Sequence, residues 1–293
     1  MAGRAPMSRL LCFGFGFCAE TLAEKLGKDG WFITGTSRTA EGCAAMAASG
    51  FAAVRFDASA SIDPSIIAGH DHILLSIPPD EKGDPVLRWH VEHILASRRS
   101  IRWIGYLSST AVYGDRGGGW VDESAPLLPS SERAARRVHA EEQWLGLCCM
   151  HSLPVHIFRL AGIYGPGRNQ LLAIRAGTAR AIVKPGQVFS RIHVEDVAGV
   201  LEASIAAPRP GRIYNVCDNE PAPPENVVAY AAELMSTTPP PRVDVALAGL
   251  SPMALSFYDD SKRVSNRRIK EELGYRLLYP TYREGLTALK ATL

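Results

Sequence analysis

The sequence has 293 residues, about twice the ~150 of a typical domain, which allows two modest domains or one large α/β unit. Hydrophobic residues make up 46% and charged residues 21%, near the averages of folded proteins, and the net charge is only +2. This composition excludes a disordered chain and nucleic-acid binding through bulk charge. The longest apolar stretch, Leu10 to Ala19, has about half the ~20 residues that a transmembrane helix needs. A transmembrane helix is therefore excluded.

Short apolar runs alternate with segments of helical periodicity in the first half of the chain. Strands are predicted at Arg9 to Phe13, Trp31 to Thr34, Ala53 to Phe56, His72 to Ile77, Ile101 to Ser108 and Val155 to Leu160. Helices are predicted near Thr39 to Ala48, Pro85 to Ser97 and Ser131 to Cys149. This alternation predicts a Rossmann-type doubly wound parallel sheet of the α/β class.

The rhythm becomes less regular and richer in proline after about residue 165. Helices at Glu225 to Met235 and Lys262 to Leu273 predict a smaller C-terminal substrate lobe, whereas Arg212 to Cys217 reads as a further strand of the sheet. We therefore predict a dinucleotide-binding domain at 8–165, to which 190–217 returns. The lobe then consists of 166–189 and 218–293.

A glycine-rich turn, Gly14-Phe15-Gly16-Phe17-Cys18-Ala19, joins the first predicted strand to a helix that the spacing of Ala19, Leu22, Ala23 and Leu26 predicts. Small residues in such a G-x-G-x-x-A turn let the backbone approach a pyrophosphate, which then lies at the positive end of the helix. The alternative is a structural glycine turn. The strand before it and the amphipathic helix after it favour a cofactor site formed by Gly14, Gly16, Phe17 and Ala19.

The end of the second predicted strand carries Ser37 and Arg38 and no acidic residue. An acidic residue there is typical of NAD binding, whereas a basic residue can pair with the 2′-phosphate of NADP. We therefore predict NADP over NAD, the alternative being a solvated arginine in a loop. Asp57, at the end of the third strand, suits either an adenine contact or a helix cap.

Four further segments follow in order: SSTAVYG at 108–114, RLAGIYGPG at 159–167, IHVEDVA at 192–198 and YNV at 214–216. With the glycine turn, they give the chain a nearly full-length resemblance to the short-chain dehydrogenase/reductase superfamily. Its extended and atypical branches, which include nucleotide-sugar epimerases and dehydratases, are the most similar. The resemblance implies that Ser109, four residues before Tyr113, hydrogen-bonds the reacting oxygen of a substrate. It also implies that Tyr164 lies near the nicotinamide.

The same resemblance places the family's proton-donating tyrosine and its lysine, spaced Y-x-x-x-K, at Arg133 and Arg137. The motif is missing in any register, because no tyrosine occurs between Tyr113 and Tyr164 and no lysine between Lys82 and Lys184. Arginine stays protonated and cannot replace the acid, although Arg137 can keep the electrostatic role of the lysine. Tyr113 and Tyr164 are candidate substitute acids, or they simply pack in their loops.

Three other patterns have structural interpretations. The literal Y-x-x-x-K at Tyr258 to Lys262 lies in the predicted lobe, and we interpret it as a chance match. The resemblance assigns His193 to a helix cap at the rim of the substrate cleft, with Asp196 in contact with it. His90 and His93 do not have the H-E-x-x-H zinc spacing, and the six cysteines lack the short paired spacings of a zinc site, so no metal is predicted.

Two functional hypotheses remain. The first is a cytoplasmic NADP-dependent enzyme, an oxidoreductase or an epimerase-like protein acting on a small polar substrate, nucleotide sugars included. The second is a non-catalytic NADP-binding module that senses redox state or binds a partner. Retention of Ser109 favours the enzyme, and Arg133 and Arg137 favour the module. No nucleic-acid or membrane partner is expected, and a homodimer is suggested by the resemblance alone.

Overall fold

The computed structural model describes residues 7–293. Its strands, in chain order, are β1 (Arg9–Phe13), β2 (Phe32–Ser37), β3 (Ala52–Arg55), β4 (His72–Leu75), β5 (Trp103–Ser109), β6 (Trp120–Val121), β7 (Val155–Leu160), β8 (Gly162–Tyr164), β9 (Ala181–Val183), β10 (Arg191–His193), β11 (Ile213–Val216), β12 (Arg242–Asp244) and β13 (Arg263–Val264).

The α-helices are α1 (Phe17–Lys28), α2 (Ala40–Ala48), α3 (Pro64–Ala68), α4 (Pro85–Ala96), α5 (Glu132–His151), α6 (Gln170–Arg175), α7 (Val194–Ala206), α8 (Pro224–Leu234), α9 (Pro252–Ser256), α10 (Arg267–Leu273) and α11 (Tyr282–Lys290). Two short 3-10 helices lie at Thr110–Tyr113 and Val245–Leu247.

Seven strands form a parallel sheet in the order β11-β7-β5-β4-β1-β2-β3. Strand β1 lies between β2 and β4, with Leu11 opposite Thr34 on one side and Ile73 on the other. Leu10 to Phe13 are fully buried, as expected for a central strand of a parallel sheet whose two faces are covered by helices. The predicted α/β fold of the Rossmann type is confirmed.

Several helices begin where the sequence supplies a cap. The Thr39 side chain accepts a hydrogen bond from the Gly42 amide at the start of α2 (3.1 Å). Asp84 accepts from the amides of Val86 and Leu87 and is followed by a proline at the first position of α4. These caps set where the crossover helices of the sheet begin.

The chain divides into two compact units, each of which consists of three separate stretches of the sequence. One comprises residues up to Ser108 with Arg136–Phe158 and Leu201–Ile213, and the other comprises Ser109–Ala135, Arg159–Val200 and Tyr214–Leu293. The second unit therefore takes in 109–135, 159–165, 190–200 and 214–217, which the domain prediction assigned to the first. Those segments contribute to the second unit because its three small parallel pairs, β6 with β13, β8 with β10 and β9 with β12, join stretches that are distant in sequence.

Each unit has its own hydrophobic cluster. That of the first includes Leu11, Phe13, Ile73 and Trp144, and that of the second includes Tyr164, Leu171 and Leu286. Measured against the length and apolarity that a bilayer span demands, every helix in residues 7–293 falls short.

One member of the first unit's interior is a histidine without hydrogen bonds. His90 is 0% exposed, and neither of its ring nitrogens has a partner in the described part of the chain. Its neighbours are the rings of Phe56 (5.1 Å between centroids), Phe13 (5.3 Å) and His93 (5.9 Å). Burial, and to a lesser extent the charge of His93, lowers the pKa of His90 from 6.5 to about 4.

We expect His90→Leu to stabilise the protein. At neutral pH the substitution removes two unpaired buried nitrogens, an effect of ~1 to 3 kcal/mol. The folded pKa lies below the unfolded value, so the unfolded chain binds the proton first and stability falls as pH drops from 6.5 towards 4. The free energy of unfolding, measured with urea at pH 7 and at pH 5, should fall less between these pH values in His90→Leu than in the wild type. His151→Leu, at an exposed residue, is the control. If His90→Leu and the wild type lose equal unfolding free energy between pH 7 and pH 5, the pH dependence does not come from His90.

Candidate functional site

Gly14, the first glycine of the turn after β1, is held in a conformation that other residues rarely adopt. Its φ angle is +87°, and a Cβ at this position would lie 2.6 Å from the Ser76 hydroxyl. That hydroxyl donates to the Gly14 carbonyl oxygen (2.9 Å), and the Gly14 amide donates to the Thr36 hydroxyl (2.8 Å). Gly14 therefore gives the turn its shape and links the ends of β1, β2 and β4.

Gly16 is different, because space lies beside it. It is the N-cap of α1, has ordinary extended backbone angles and carries no side-chain cap. A Cβ built on Gly16 would meet no atom within 4 Å. Phe17 begins the helix half-buried, and Ala19, two residues further on, is fully buried. The helix start therefore has no side-chain cap at Gly16 and borders open space there, which suits a phosphate group at the positive end of the helix.

Ser37 and Arg38 follow at the carboxyl end of β2. The Ser37 hydroxyl accepts a hydrogen bond from the Thr39 amide (3.3 Å), which leaves its own proton free to donate. Arg38 is exposed and forms no ion pair within residues 7–293. Its guanidinium is therefore accessible from solvent at the carboxyl end of β2.

Asp57 follows β3, which ends beside β2 through a hydrogen bond from the Phe56 amide to the Ser37 carbonyl (2.8 Å). Its carboxylate accepts hydrogen bonds from the amide (3.0 Å) and the hydroxyl of Ser59 and pairs with Arg55 (3.3 Å). The hydrogen bonds from Ser59 lower the pKa of Asp57. The structure thus brings the predicted residues 14–19, 37–38 and 57 together at adjacent strand ends, with Asp57 engaged in a local turn.

Arg137 lies in the first unit at the end of β5. Its Nη1 atom donates to the carbonyl oxygen of Leu107 (2.8 Å), and the side chain is half-buried. Next along the strand, the Ser108 hydroxyl donates to the buried carboxylate of Glu141, one turn beyond Arg137 on α5. Arg137 therefore holds a positive charge at the carboxyl end of a central strand, where ligands of such sheets bind.

Ser109 and Tyr113 lie at the two ends of the 3-10 helix in the second unit. The Ser109 oxygen accepts a hydrogen bond from the Ala111 amide (3.2 Å), so its proton remains available. Tyr113 is fully buried, and its hydroxyl donates to Asn215 (2.7 Å) and accepts from Arg159 (2.9 Å). Burial raises the pKa of Tyr113. These contacts favour a structural role for Tyr113 over proton donation.

Arg133, the other replaced position, is an exposed residue in the first turn of α5. Its guanidinium carbon lies over the ring of Phe257, 5.5 Å from the centroid, a distance that allows a cation–π interaction. Phe257 itself is exposed and directly follows α9. Arg133 is thus reachable from solvent and is held by an aromatic side chain of its own unit.

Tyr164 and His193 pack against each other in the second unit, with ring centroids 5.2 Å apart. The Tyr164 hydroxyl points to the Thr281 carbonyl at 3.5 Å, and burial raises its pKa. Nδ1 of His193 accepts a hydrogen bond from the Glu195 amide (3.2 Å) and so caps the start of α7. Burial lowers the pKa of His193 to about 4, so the ring is neutral near pH 7.

Asp196 is fully buried and does not hydrogen-bond to His193. Its carboxylate accepts from the Tyr275 hydroxyl (3.0 Å) and from the amides of Leu278 (2.7 Å) and Tyr279 (3.1 Å). The ring of Tyr279 then packs on His193 at 4.1 Å between centroids. The predicted contact between Asp196 and His193 is therefore wrong: the segment before α11 links the two residues, and no local sequence pattern predicts that link.

Tyr258 and Lys262 share neither a helix nor a contact. Tyr258 follows α9, whereas Lys262 precedes β13 and donates to the Gly114 carbonyl (2.9 Å) while pairing with Asp260 (3.0 Å). This arrangement agrees with a chance match to Y-x-x-x-K. Nowhere in the described part of the chain do three or more His, Cys, Asp or Glu side chains gather closely enough to hold a metal ion.

Sequence reasoning missed several residues of the second unit. Arg159 and Asn215 bind Tyr113, and the Asn215 amide in turn donates to the buried Glu123 (2.8 Å). Arg191 and Asp218 lie beside each other at β10 and after β11, with the Asp218 amide donating to the Arg191 carbonyl (2.7 Å). Arg159 and Asn215 lie within the sequence segments 159–167 and 214–216, but their hydrogen-bond partners become visible only in the fold.

Comparison with known proteins shows which family this chain resembles. The model of the NAD-dependent epimerase/dehydratase family matches residues 92–217. Protein YeeZ of Escherichia coli K12 is 31% identical over 290 residues, covering 94% of this chain and 97% of that protein. The chain belongs to the NAD-dependent epimerase/dehydratase family. The resemblance to the extended short-chain dehydrogenase/reductase branch is thereby confirmed, and the chain is of the NAD(P)-binding, epimerase-like type.

Two further family comparisons are informative. A solved structure from Silicibacter pomeroyi DSS, described as a functionally unknown conserved protein, is 52% identical with a TM-score of 0.90, covering 98% of this chain and 99% of that one. A Streptomyces protein named 3-diazoavenalumate denitrifying reductase is 27% identical over 179 residues, which is 57% of this chain and 58% of that protein.

Proposed function

We propose that this family member is an NADP-dependent oxidoreductase that acts on a small polar substrate without the Tyr-Lys pair. The observation that carries the proposal is the start of α1, where Gly16 has no side-chain cap and leaves open space beside the positive end of the helix. The residues present fit a dinucleotide: a pyrophosphate at Gly16, and a 2′-phosphate at Ser37 and Arg38. NADP bound there supplies a hydride donor or acceptor.

Ser109 is the residue that we propose orients the substrate. Its oxygen is already an acceptor for the Ala111 amide, and the hydroxyl proton can therefore be donated to a carbonyl oxygen of the substrate. Arg137 is proposed to take the electrostatic part of the missing lysine, because its guanidinium is fixed at the end of β5 by the Leu107 carbonyl. Neither residue supplies a proton acid, so we assign that step to a water molecule or to the substrate itself.

Reduction is favoured over epimerisation by two observations. Arg133 and Arg137 replace the pair on which conventional proton transfer in the family depends, as the sequence resemblance implies. In addition, the Streptomyces relative is named a reductase. Cytoplasmic location and a homodimer stay predictions.

A non-catalytic NADP-binding module is the second candidate. The contact between Arg133 and Phe257 favours it, since the side chain at the position of the family's acid is engaged by a neighbouring aromatic ring. The two candidates differ in one measurable respect. An enzyme turns over a carbonyl substrate, whereas a module binds NADP and does not.

We expect the protein to bind NADP about 10- to 100-fold more tightly than NAD, because a charge-assisted hydrogen bond to the 2′-phosphate contributes roughly 1.5 to 3 kcal/mol. Arg38→Gln should remove this preference and leave NAD affinity unchanged. Isothermal titration of both dinucleotides at one fixed salt concentration measures the effect. Arg99→Gln, the same substitution at an exposed residue after α4, is the control. Equal affinities in the wild type would show that Arg38 is a solvated loop residue.

A further inference from the structure

A half-buried arginine in the second unit, Arg191, forms no ion pair within residues 7–293. Nη1 of Arg191 donates to the carbonyl oxygens of Phe189 (2.8 Å) and Ala222 (3.0 Å). Its other nitrogens have no hydrogen-bond or ion-pair partner in residues 7–293, and the side chain stays partly exposed. Burial, which removes the guanidinium from water, lowers the pKa of Arg191. A cation in this situation gains much from an added anion.

Two polar groups beside Arg191 also lack partners. Oδ2 of Asp218 and the hydroxyl of Tyr282, each in a residue that is 1% exposed, make no hydrogen bond within the described residues. Both groups interact electrostatically with Arg191. Burial raises the pKa of Asp218 to about 8, so near neutral pH its carboxyl group is protonated and can donate. Buried polar groups nearly always have partners, and this cluster therefore indicates a polar ligand.

Aromatic rings border the same place. The guanidinium carbon of Arg191 lies 6.0 Å from the centroid of Phe189, and Tyr258 packs edge-on against that ring at 5.5 Å. A flat apolar surface next to a cation suits a planar group attached to an acidic one.

The charges indicate which anion fits. Arg191 is the cation, and the carboxyl group of Asp218 lies beside it. Glu225, whose Oε2 atom is buried without a partner in the described residues, interacts with Tyr258. A dianion such as a phosphate monoester would bring a second negative charge next to the carboxyl group of Asp218, which is unfavourable. A single carboxylate neutralises Arg191 and can accept hydrogen bonds from Tyr282 and from protonated Asp218.

We propose that Arg191, Asp218 and Tyr282, with Phe189 as a wall, bind the carboxylate of a planar unsaturated monocarboxylate. The inference rests on the proposed function, because it assigns the substrate class of that oxidoreductase. Arg191 is then a specificity-determining residue, and it favours a substrate class that differs from nucleotide sugars.

The test is isothermal titration of trans-cinnamate into protein saturated with NADP, after NADP binding has been measured alone. We expect cinnamate to bind at least 10-fold more tightly than cinnamamide, its neutral analogue, and than phenyl phosphate, the dianion. Similar affinity for cinnamamide would show that the charge is irrelevant, and tighter binding of phenyl phosphate would overturn the monocarboxylate class.

Variants locate the binding. Arg191→Gln should weaken cinnamate binding about 10- to 100-fold, as expected for loss of a charge-assisted pair. Arg175→Gln, on an exposed residue of α6, makes the same change of charge without effect. Tyr282→Phe removes a hydroxyl that has no partner, so the fold should be kept while cinnamate binding weakens. Asp218→Asn keeps a donor and should retain cinnamate binding.

The outcomes separate the two proposals. If wild-type protein binds NADP but no cinnamate, or if Arg191→Gln and Tyr282→Phe bind cinnamate as the wild type does, the carboxylate site is wrong and the proposed function stands. If NADP does not bind, the proposed function itself is wrong.

Discussion

Gly16→Val should abolish detectable NADP binding, with a loss of at least about 100-fold, while the circular dichroism spectrum stays nearly unchanged. The backbone angles of Gly16 suit any residue, and no protein atom lies within 4 Å of the added Cβ. The valine therefore fits the folded protein and occupies only the space that the pyrophosphate needs. Loss of the N-cap glycine costs the helix up to ~1 kcal/mol, too little to unfold it. Isothermal titration with NADP measures the loss.

Two other glycines serve as controls for this experiment. Gly27→Val changes the same helix at its far end, where a Cβ meets only the Phe51 ring at an ordinary 3.7 Å, and NADP binding should persist. Gly14→Val should instead destabilise the fold, because of the positive φ angle and the close Ser76 hydroxyl. Wild-type NADP affinity in Gly16→Val would place the pyrophosphate elsewhere and remove the basis of the proposed function.

The strands of the sheet could be predicted well where the local sequence pattern agrees with the pairing that the folded sheet imposes. The predicted bounds of β1 are those observed, because its apolar run is bordered by a basic residue and a glycine. Strand β2 extends beyond the predicted Thr34 to Ser37. Gly35 has weak strand preference, but it pairs with Cys12 of β1 and Ala53 of β3, so the sheet overrides local propensity.

The second unit shows where local pattern fails. The sequence predicts one helix from Lys262 to Leu273, whereas Arg263–Val264 pairs with Trp120–Val121 and the helix begins only at Arg267. The pairing partner lies more than a hundred residues away, and nothing in the local sequence encodes it. The same limit applies to Tyr113, whose hydroxyl is engaged by Arg159 and Asn215 from distant strands.

Restoring the family's pair at the replaced positions should create catalysis. In Arg133→Tyr with Arg137→Lys, the two side chains lie one turn apart on α5, so the lysine can lower the pKa of the phenol. Position 133 is exposed, and a tyrosine there can keep a ring contact with Phe257. General acid catalysis contributes about 10²- to 10⁴-fold, and we expect a gain of at least 10² in NADPH-dependent reduction of 4-nitrobenzaldehyde. Loss of NADPH absorbance measures it.

Matched variants show whether the gain comes from the phenol and from Ser109. Arg133→Phe with Arg137→Lys supplies the ring without the hydroxyl and should show no gain. Ser109→Ala in the restored background should remove it, since the Ser109 proton is then no longer available to the substrate oxygen. If the restored pair and the phenylalanine control have equal rates, α5 does not present position 133 to the substrate. If every variant binds NADP tightly without turnover, the non-catalytic module replaces the oxidoreductase as the function of this chain.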